Sequence, residues 1–397
     1  MSGAFAGLRR VQDAQVEGQV VAVRVDYNVP MADGQIGDDT RIQASLPTLR
    51  LLRERGAKVV VFSHLGRPEG KVVPELSLRP IADLLGELLE APIILHTEHE
   101  EDVRPHIDEA ADEAIHVLEN VRFHPEETAN ESPFARWLSS LGDLFVNDAF
   151  ATLHRAHAST VGVADHLPAY AGLLVQKELE ALSPLVEEPK RPYVAVIGGK
   201  KAKSKLGPLR DLIRTVDEIL VGGGVAYTLL EALGVHVGTS PVEHALLDEV
   251  EEVLANAGER GVTVLLPSDV VTAEAPEAAS EAEIFAVDEI PPERSGFNIG
   301  PETVARFAER IAGAGSVLWT GPMGMYEDPA FASGTRGLAE AMAATDAYTV
   351  VGGGETGDAV SSFGLAESMS HISTGGGASL ALLRGRRLPA LEALRES

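Results

Sequence analysis

YVAVIGGKKAKSKLG, residues 193–207, opens on an apolar run, turns on a glycine pair and then carries lysine at positions 200, 201, 203 and 205. The whole chain has eight lysines, the others at 58, 71, 177 and 190, so half of them fall within six residues. The formal net charge is −27, against which such a focus of positive charge stands out. An apolar run, a Gly-Gly turn and a basic stretch place several ammonium groups at the mouth of a sheet, where backbone N–H groups also face an anion. Four lysines in an ordinary chain read as a solvated turn. Their scarcity elsewhere favours an anion site, and a polyphosphate is the simplest ligand.

The same alternation of short β-branched runs and longer helical patterns extends along the chain, which predicts α/β architecture with largely parallel sheets. In the first half the runs are VVAVRV (20–25), KVVVF (58–62), PIIL (92–95), IHVLE (115–119) and DLFVN (143–147). In the second half they are YVAVIG (193–198), EILVGG (218–223), VTVLLP (262–267), SVLWT (316–320) and YTVVGG (348–353). Between them GLLVQKELEALSPLVEEPKRP (172–192) has helical spacing through about Val186, and Pro189 and Pro192 then stop it. Two similar sets of five strands joined by a hinge helix predict two lobes, each a mostly parallel sheet flanked by helices. The boundary falls in 170–190, placed at 172/173. No fixed-period repeat links the halves.

Composition narrows the classes. With 397 residues and 45% hydrophobic content the chain is long enough for two cores. Zero cysteine removes disulfides, thiolate metal sites and cysteine catalysis together. No apolar stretch approaches the roughly 20 residues that span a bilayer, so no membrane partner is expected. MSGAFAGLRRVQDAQ (1–15) lacks a long apolar h-region and a cleavage site, and a cytoplasmic location is expected. Sixty Asp and Glu face 33 basic residues, 25 Arg and 8 Lys. Dense acidic runs at 97–114 and 274–290 are internal and interleaved with apolar residues. A carboxylate-coated, lysine-poor surface suits a cytoplasm of very high salt, and it argues against nucleic acid as a partner.

In open parallel sheets ligands bind beyond the carboxyl ends of the strands. In the first half those ends carry Asp26 and Asn28, His64 and Arg67 in SHLGRP, Arg122 in ENVRFH, then Asp148, Arg155 and His157, while Arg41 opens a helical pattern. Any single arginine here reads as a surface ion-pair partner. Four converging from separate loops make a pocket for a small, multiply charged anion, because guanidinium forks match carboxylate and phosphate oxygens two at a time. The second-half ends are glycine-rich: GGKKAK (198–203), GGG (222–224), TGPMG (320–324), GGGETG (352–357) and STGGGAS (373–379). Glycine lets backbone approach a nucleotide and lets successive N–H groups face its phosphates. Gly352, Gly354 and Gly357 formally match the dinucleotide fingerprint, but no acid stands near position 375, where the ribose partner belongs. A GxxxxGK[ST] loop is absent, and His64, His154 and His157 lack metal-ligand spacing.

Together these segments resemble phosphoglycerate kinase. The match runs in order through RVDYNVP (24–30), TRI (40–42), SHLGRP (63–68), ENVRFH (119–124), NDAFATLHRAH (147–157) and KELEAL (177–182). It continues with IGGKKAKSK (197–205), VGGGVAYTLL (221–230), NIGPET (298–303), TGPMGMYE (320–327), GGGET (352–356) and STGGGASL (373–380). The resemblance implies a lobe over 1–172, with a tail 385–397 returning to it, that binds 3-phosphoglycerate or 1,3-bisphosphoglycerate. Its contacts would be Asp26, Asn28, Arg41, His64, Gly66, Arg67, Arg122 and Arg155. It implies a second lobe over 173–384 for ADP or ATP with Mg²⁺. Lys205 would meet the phosphates and Glu327 the ribose, and Gly223, Gly224 and Gly296 would approach the base or ribose. Gly353, Gly354, Glu355 and Thr356 would surround the phosphates, with Glu355 on the metal. Arg41, Lys201 and the N–H groups of Gly375, Gly376 and Gly377 would face the transferring phosphoryl group.

The resemblance further implies a cytoplasmic glycolytic kinase, taken as a monomer, whose lobes close on their substrates. Glu355 stands where the family usually has Asp, a departure that bears on the metal contact. Lys200, Ser204, Thr320 and Ala381 also depart from the common pattern without removing a member of the implied catalytic set. Two rivals are a two-lobed receptor for a small anion and an NAD-dependent dehydrogenase. Matched cations at Arg41 and Lys201 argue against the first, and the missing ribose acid argues against the second.

Charge alone generates a test. At 0.01 M salt the Debye length is roughly 30 Å and the −27 chain repels itself. Molar salt cuts that length to about 3 Å and leaves hydrophobic burial intact. The melting temperature is expected to rise across a KCl series from low to molar; a flat or falling series rejects adaptation to salt.

Overall fold

The computed structural model describes residues 5–97 and 103–396, so residues 98–102 of the acidic run at 97–114 lie outside the described residues. The chain forms two compact units, one made of the chain through Glu180 together with the segment from Arg387, the other Ala181–Arg386.

The first unit runs through strand β1 (Val20–Arg24), the short hairpin β2 (Met31–Ala32) and β3 (Gln35–Ile36), helix α1 (Thr40–Glu54), β4 (Lys58–Phe62), α2 (Arg79–Leu89), β5 (Ile93–His96) and α3 (Val103–Glu109). It continues with β6 (Ile115–Leu118), α4 (Pro125–Ala129), α5 (Ser132–Ser140), β7 (Leu144–Asn147), β8 (Ala169–Ala171) and the start of α6 (Leu173–Val186). Six strands make one sheet in the order β5-β6-β4-β1-β7-β8, and every neighbouring pair is parallel. All five residues of β1 are buried, as expected of an inner strand covered by helices on both faces. Helix α1 carries Pro47, which removes a ladder bond at a cost of about 3 kcal/mol. Its Ile42, Leu46, Leu49 and Leu52 sit in the core against Val21, Val23, Val59 and Val61. At roughly 1.5–3 kcal/mol for each such side chain, burial outweighs the proline and fixes the helix on the sheet.

The second unit contains β9 (Tyr193–Ile197), α7 (Ala202–Leu212), β10 (Glu218–Val221), α8 (Gly223–Ala232), α9 (Leu247–Glu259), β11 (Thr263–Leu265), β12 (Asp269–Ala273), β13 (Glu283–Ala286) and β14 (Ser295–Ile299). Then follow α10 (Pro301–Ala312), β15 (Ser316–Thr320), α11 (Ser333–Ala344), β16 (Tyr348–Gly352), α12 (Gly354–Ser362), β17 (His371–Ser373) and α13 (Gly376–Leu383). Its main sheet has the order β11-β10-β9-β15-β16-β17 and is wholly parallel. A separate three-stranded antiparallel sheet, β13-β12-β14, lies in the same unit. Trp319, Phe307, Val317 and Met323 centre the core. After α13 the chain adds α14 (Pro389–Glu392) to the first unit, where Ala390 N–H donates to Leu153 O at 3.2 Å.

The units divide inside α6 at 180/181, later than the 172/173 boundary read from the sequence, and rejoin at 386/387 rather than 384/385. Hydrogen bonds account for both offsets. The first turn of α6 is held by the first unit: Leu173 N–H donates to Thr48 Oγ1 at 2.9 Å, Leu174 N–H to Asp148 Oδ1 at 2.8 Å, and Gln12 and Gln176 exchange amide bonds. At the other crossing Arg384 and Arg386 both reach Asp211 on α7, at 2.5 and 3.1 Å, so they stay with the second unit.

Asp148, which caps α6, is fully buried, and burial lifts its carboxyl from 3.8 to about 6 against the pull of its hydrogen bonds from Thr48, Val175 and Leu174. Folding therefore takes up a proton between those two values. Stability falls as pH rises through that window, and above it the native state carries a buried charge. Asp148→Asn keeps an accepting oxygen and removes the charge. It is expected to raise the melting temperature by several degrees at pH 8 and to change it little near pH 4.

Candidate functional site

The loops after β1, β4, β6 and β7 and the first turn of α1 collect at one edge of the first sheet, because all its strands run the same way. Asp26, two residues past β1, is buried, and its Oδ2 accepts from Arg41 Nη1 at 2.5 Å. Arg41 occupies the first turn of α1, held there by the buried stripe behind it. Asn28 Oδ1 accepts from Gly66 N–H at 2.8 Å, and Arg122 Nη1 donates to Gly66 O at 2.8 Å, so the SHLGRP loop is gripped from both sides. Burial, with Arg155 and Arg24 nearby, pushes the Arg122 guanidinium down to about 10, which still leaves it charged at neutral pH.

His64 is buried, and its Nδ1 lies 3.1 Å from Arg24 Nη2. A guanidinium only donates, so Nδ1 must accept and the ring proton must sit on Nε2. Burial first, then Arg24, Arg122, Arg155 and His157, hold the His64 pKa well below 6.5. His64 is therefore a neutral donor among cations, and its 3.7 Å approach to Asp26 Oδ1 is not an ion pair. Of the residues predicted from sequence, Asp26, Asn28, Arg41, His64, Gly66, Arg122 and Arg155 thus belong to one neighbourhood. Arg67 is exposed on the same loop. Arg24, without exposed surface, is a member the sequence reading missed. Its signal was a charge inside the apolar run VVAVRV.

In the second unit β9, β10, β16 and β17 lead into α7, α8, α12 and α13. The sheet is parallel, so four helix N-termini meet at one edge, each with the positive end of a dipole. Lys201 is the N-cap of α7 and is exposed. The N-termini of α12 and α13 pack closely: a Cβ on Gly376 would stand 3.3 Å from Gly353 Cα. Gly375 N–H is taken by Ser373 Oγ at 3.2 Å, which leaves Gly376 and Gly377 as the first-turn donors. Gly223, at φ +66°, has Gly199 O only 2.8 Å from where its Cβ would be, so no other residue fits that turn.

Beside these termini lies a cavity of about 710 Å³ lined by Lys200, Gly223, Gly224, Gly296, Glu327 and Glu355, with an apolar side of Tyr227, Pro241, Phe297 and Met325. These four apolar-side residues were given no role by the sequence, and Tyr227 has the most specific placement. Its hydroxyl abuts Gly296, where a Cβ would collide with it. Lys205 Nζ donates to Thr320 Oγ1 at 3.3 Å; burial lowers its pKa and the Glu355 carboxylate opposes that. Thr356 Oγ1 accepts from Gly321 N–H at 2.7 Å and ties two of the glycine loops together. Among the described residues no cluster of three or more His, Asp or Glu is arranged to hold a metal alone. Glu355, an exposed carboxylate in the first turn of α12 and on the cavity wall, fits a hard cation such as Mg²⁺ that draws its remaining ligands from phosphate oxygens and water.

A cationic cluster suited to a small acid in one unit, and a glycine-lined cavity with lysine and helix N-termini in the other, are the equipment of a phosphotransferase. Comparison with known proteins makes this specific. The family model described as phosphoglycerate kinase matches residues 11–386. The phosphoglycerate kinase of Coxiella burnetii is 41% identical, with a TM-score of 0.86 and 98% of each chain covered. That of Pyrococcus horikoshii OT3 is 33% identical, with a TM-score of 0.86 and the same 98% coverage of both chains. The chain belongs to the phosphoglycerate kinase family. It is a phosphotransferase, and its reaction is reversible phosphoryl transfer between 1,3-bisphosphoglycerate and ADP in glycolysis. Among the described residues no helix is long and apolar enough to cross a membrane.

Proposed function

We propose that the first unit binds 3-phosphoglycerate or 1,3-bisphosphoglycerate through Asp26, Asn28, Arg41, His64, Gly66, Arg67, Arg122 and Arg155. The second unit binds ADP or ATP through Lys205, Gly223, Gly224, Gly296, Glu327, Gly353, Gly354, Glu355 and Thr356. The observation that carries this division is the gathering of Arg24, Arg122 and Arg155 around an electrically neutral His64 in a chain of net charge −27. Asp26 and Glu127 balance part of this cluster from inside the fold, and its remaining positive charge suits an anionic substrate.

The acceptor carboxylate of 3-phosphoglycerate is ionised at neutral pH, so no general base is required. Catalysis then rests on position and on neutralising charge spread over the transferring group. Arg41, Lys201 and the N–H groups of Gly376 and Gly377 serve that task, while Gly375 sets their turn through Ser373. Mg²⁺, when bound with the nucleotide at Glu355, supplies further positive charge at the phosphate oxygens. The reading extends to a monomer in a salt-rich cytoplasm, supported by the acidic, lysine-poor and cysteine-free composition.

Calorimetry with each ligand separately tests the division. Arg122→Ala and Arg67→Ala are expected to weaken 3-phosphoglycerate about 10- to 100-fold, the range of a lost charge-assisted hydrogen bond, and to leave ADP unchanged. Equal losses of both ligands contradict it. Arg41→Ala and Lys201→Ala are each expected to lower kcat by about 100-fold or more in a coupled assay, with small changes in KM for nucleotide. A variant that changes KM alone removes that residue from the transferring group.

A further inference from the structure

One set of buried contacts behind His64 is not used by the mechanism above. Glu127, at the buried side of α4, has no exposed surface, and neither has Ser159. Glu127 Oε1 accepts from the Ser159 hydroxyl at 2.6 Å, and Oε2 accepts from Ser159 N–H at 2.9 Å. With its proton committed to Glu127, Ser159 Oγ has a lone pair aimed at Arg24 Nε, 2.8 Å away. Arg24 Nη1 donates to Val25 O, which leaves Nη2 directed at His64 Nδ1. Every donor and acceptor along this line has a single consistent assignment.

We propose that Glu127 and Ser159 are positioning residues that act through Arg24 to hold His64 in its neutral, Nε2-protonated form. The ring's remaining N–H is thereby kept for an anionic oxygen of the acid substrate. Its use in binding rests on the site assignment made above; the state of the ring does not. The charged and titratable groups around His64 are Arg24, Asp26, Arg122, Arg155 and His157, with Glu127 behind Arg24. Burial would raise the Glu127 carboxyl, but His157, Arg24 and Ser159 more than reverse it, so the anchor stays ionised. A protonated His64 would turn Nδ1 into a donor facing a donor, which the guanidinium forbids. Neutrality has a use beyond avoiding repulsion. An imidazolium would add a titrating charge to the cluster and make acid-substrate affinity vary near neutral pH.

Nitrogen-15 NMR of the histidine rings in the intact protein reads the proposal directly. The unsubstituted protein is expected to show His64 with an unprotonated Nδ1 and a protonated Nε2, unchanged from pH 5.5 to 8. Ser159→Ala removes the link between Glu127 and Arg24. It is expected to give a mixture of the two neutral tautomers, with 3-phosphoglycerate affinity down about fivefold. Ser159→Thr keeps the hydroxyl and is expected to restore both the ring signals and the affinity. His64 signals in Ser159→Ala that match the parent, or a protonated Nδ1 in the parent, overturn the relay even if 3-phosphoglycerate binds. Failure of the binding assignment looks different: the unsubstituted protein would not bind 3-phosphoglycerate at all, whatever the ring signals.

Discussion

A guanidinium with no access to water stands at the end of an inner strand of the first sheet, and the surrounding arrangement follows from the need to satisfy it. Stripping a charge of water costs several kcal/mol unless partners replace the lost hydration. Arg24 finds them in a serine hydroxyl, a backbone carbonyl and a histidine ring. Those contacts decide which atom of His64 carries a proton, and with Asp26 on Arg41 they decide where the cluster's donors point. An apolar residue at position 24 would stabilise the sheet more simply. Its replacement by arginine makes sense only for a site that must be organised before its ligand arrives.

The second unit prepares for an anion differently, by bringing backbone close to backbone. Gly223 against Gly199, and Gly376 against Gly353, let neighbouring helices start almost in contact, so their dipoles act on one region. The parallel sheet is what makes this possible, because it places successive strand ends on the same edge. Thr356 then ties two of the glycine loops together, and Thr320 holds the Lys205 ammonium of α7 against one of them.

Much of this was legible in the sequence, and the exceptions have physical causes. The ten β-branched runs all became strands, eight of them largely buried, while β5 and β11 at the sheet edges stay partly exposed. Strand β12 (DVVTA) is as β-branched as those runs but is not among them; β8 and β17, three residues each, and β13 and β14 carried no comparable signal. Their identity comes from partners elsewhere in the chain, and β14 carries Gly296 and Asn298, both poor strand formers. Site residues whose charge stood at strand ends were readable for the same topological reason. Arg24 was hidden inside a run that counted as apolar, and Ser159 reaches it across a sequence separation of 135 residues, which no local pattern reports. Tyr227 was hidden by the ordinariness of a tyrosine on a helix.

The path of the chain has a consequence for how the protein comes into being. The first unit is closed by residues that follow the whole second unit in the chain: Leu388, Leu391 and Leu394 are buried in it, Arg9 N–H donates to Leu394 O at 3.0 Å, and Glu396 N–H donates to Gly7 O at 2.7 Å. A ribosome releases the whole of the second unit before it releases those leucines. The unit that begins first is thus the one completed last, and it waits with an open apolar seam while its younger neighbour folds around a core entirely its own.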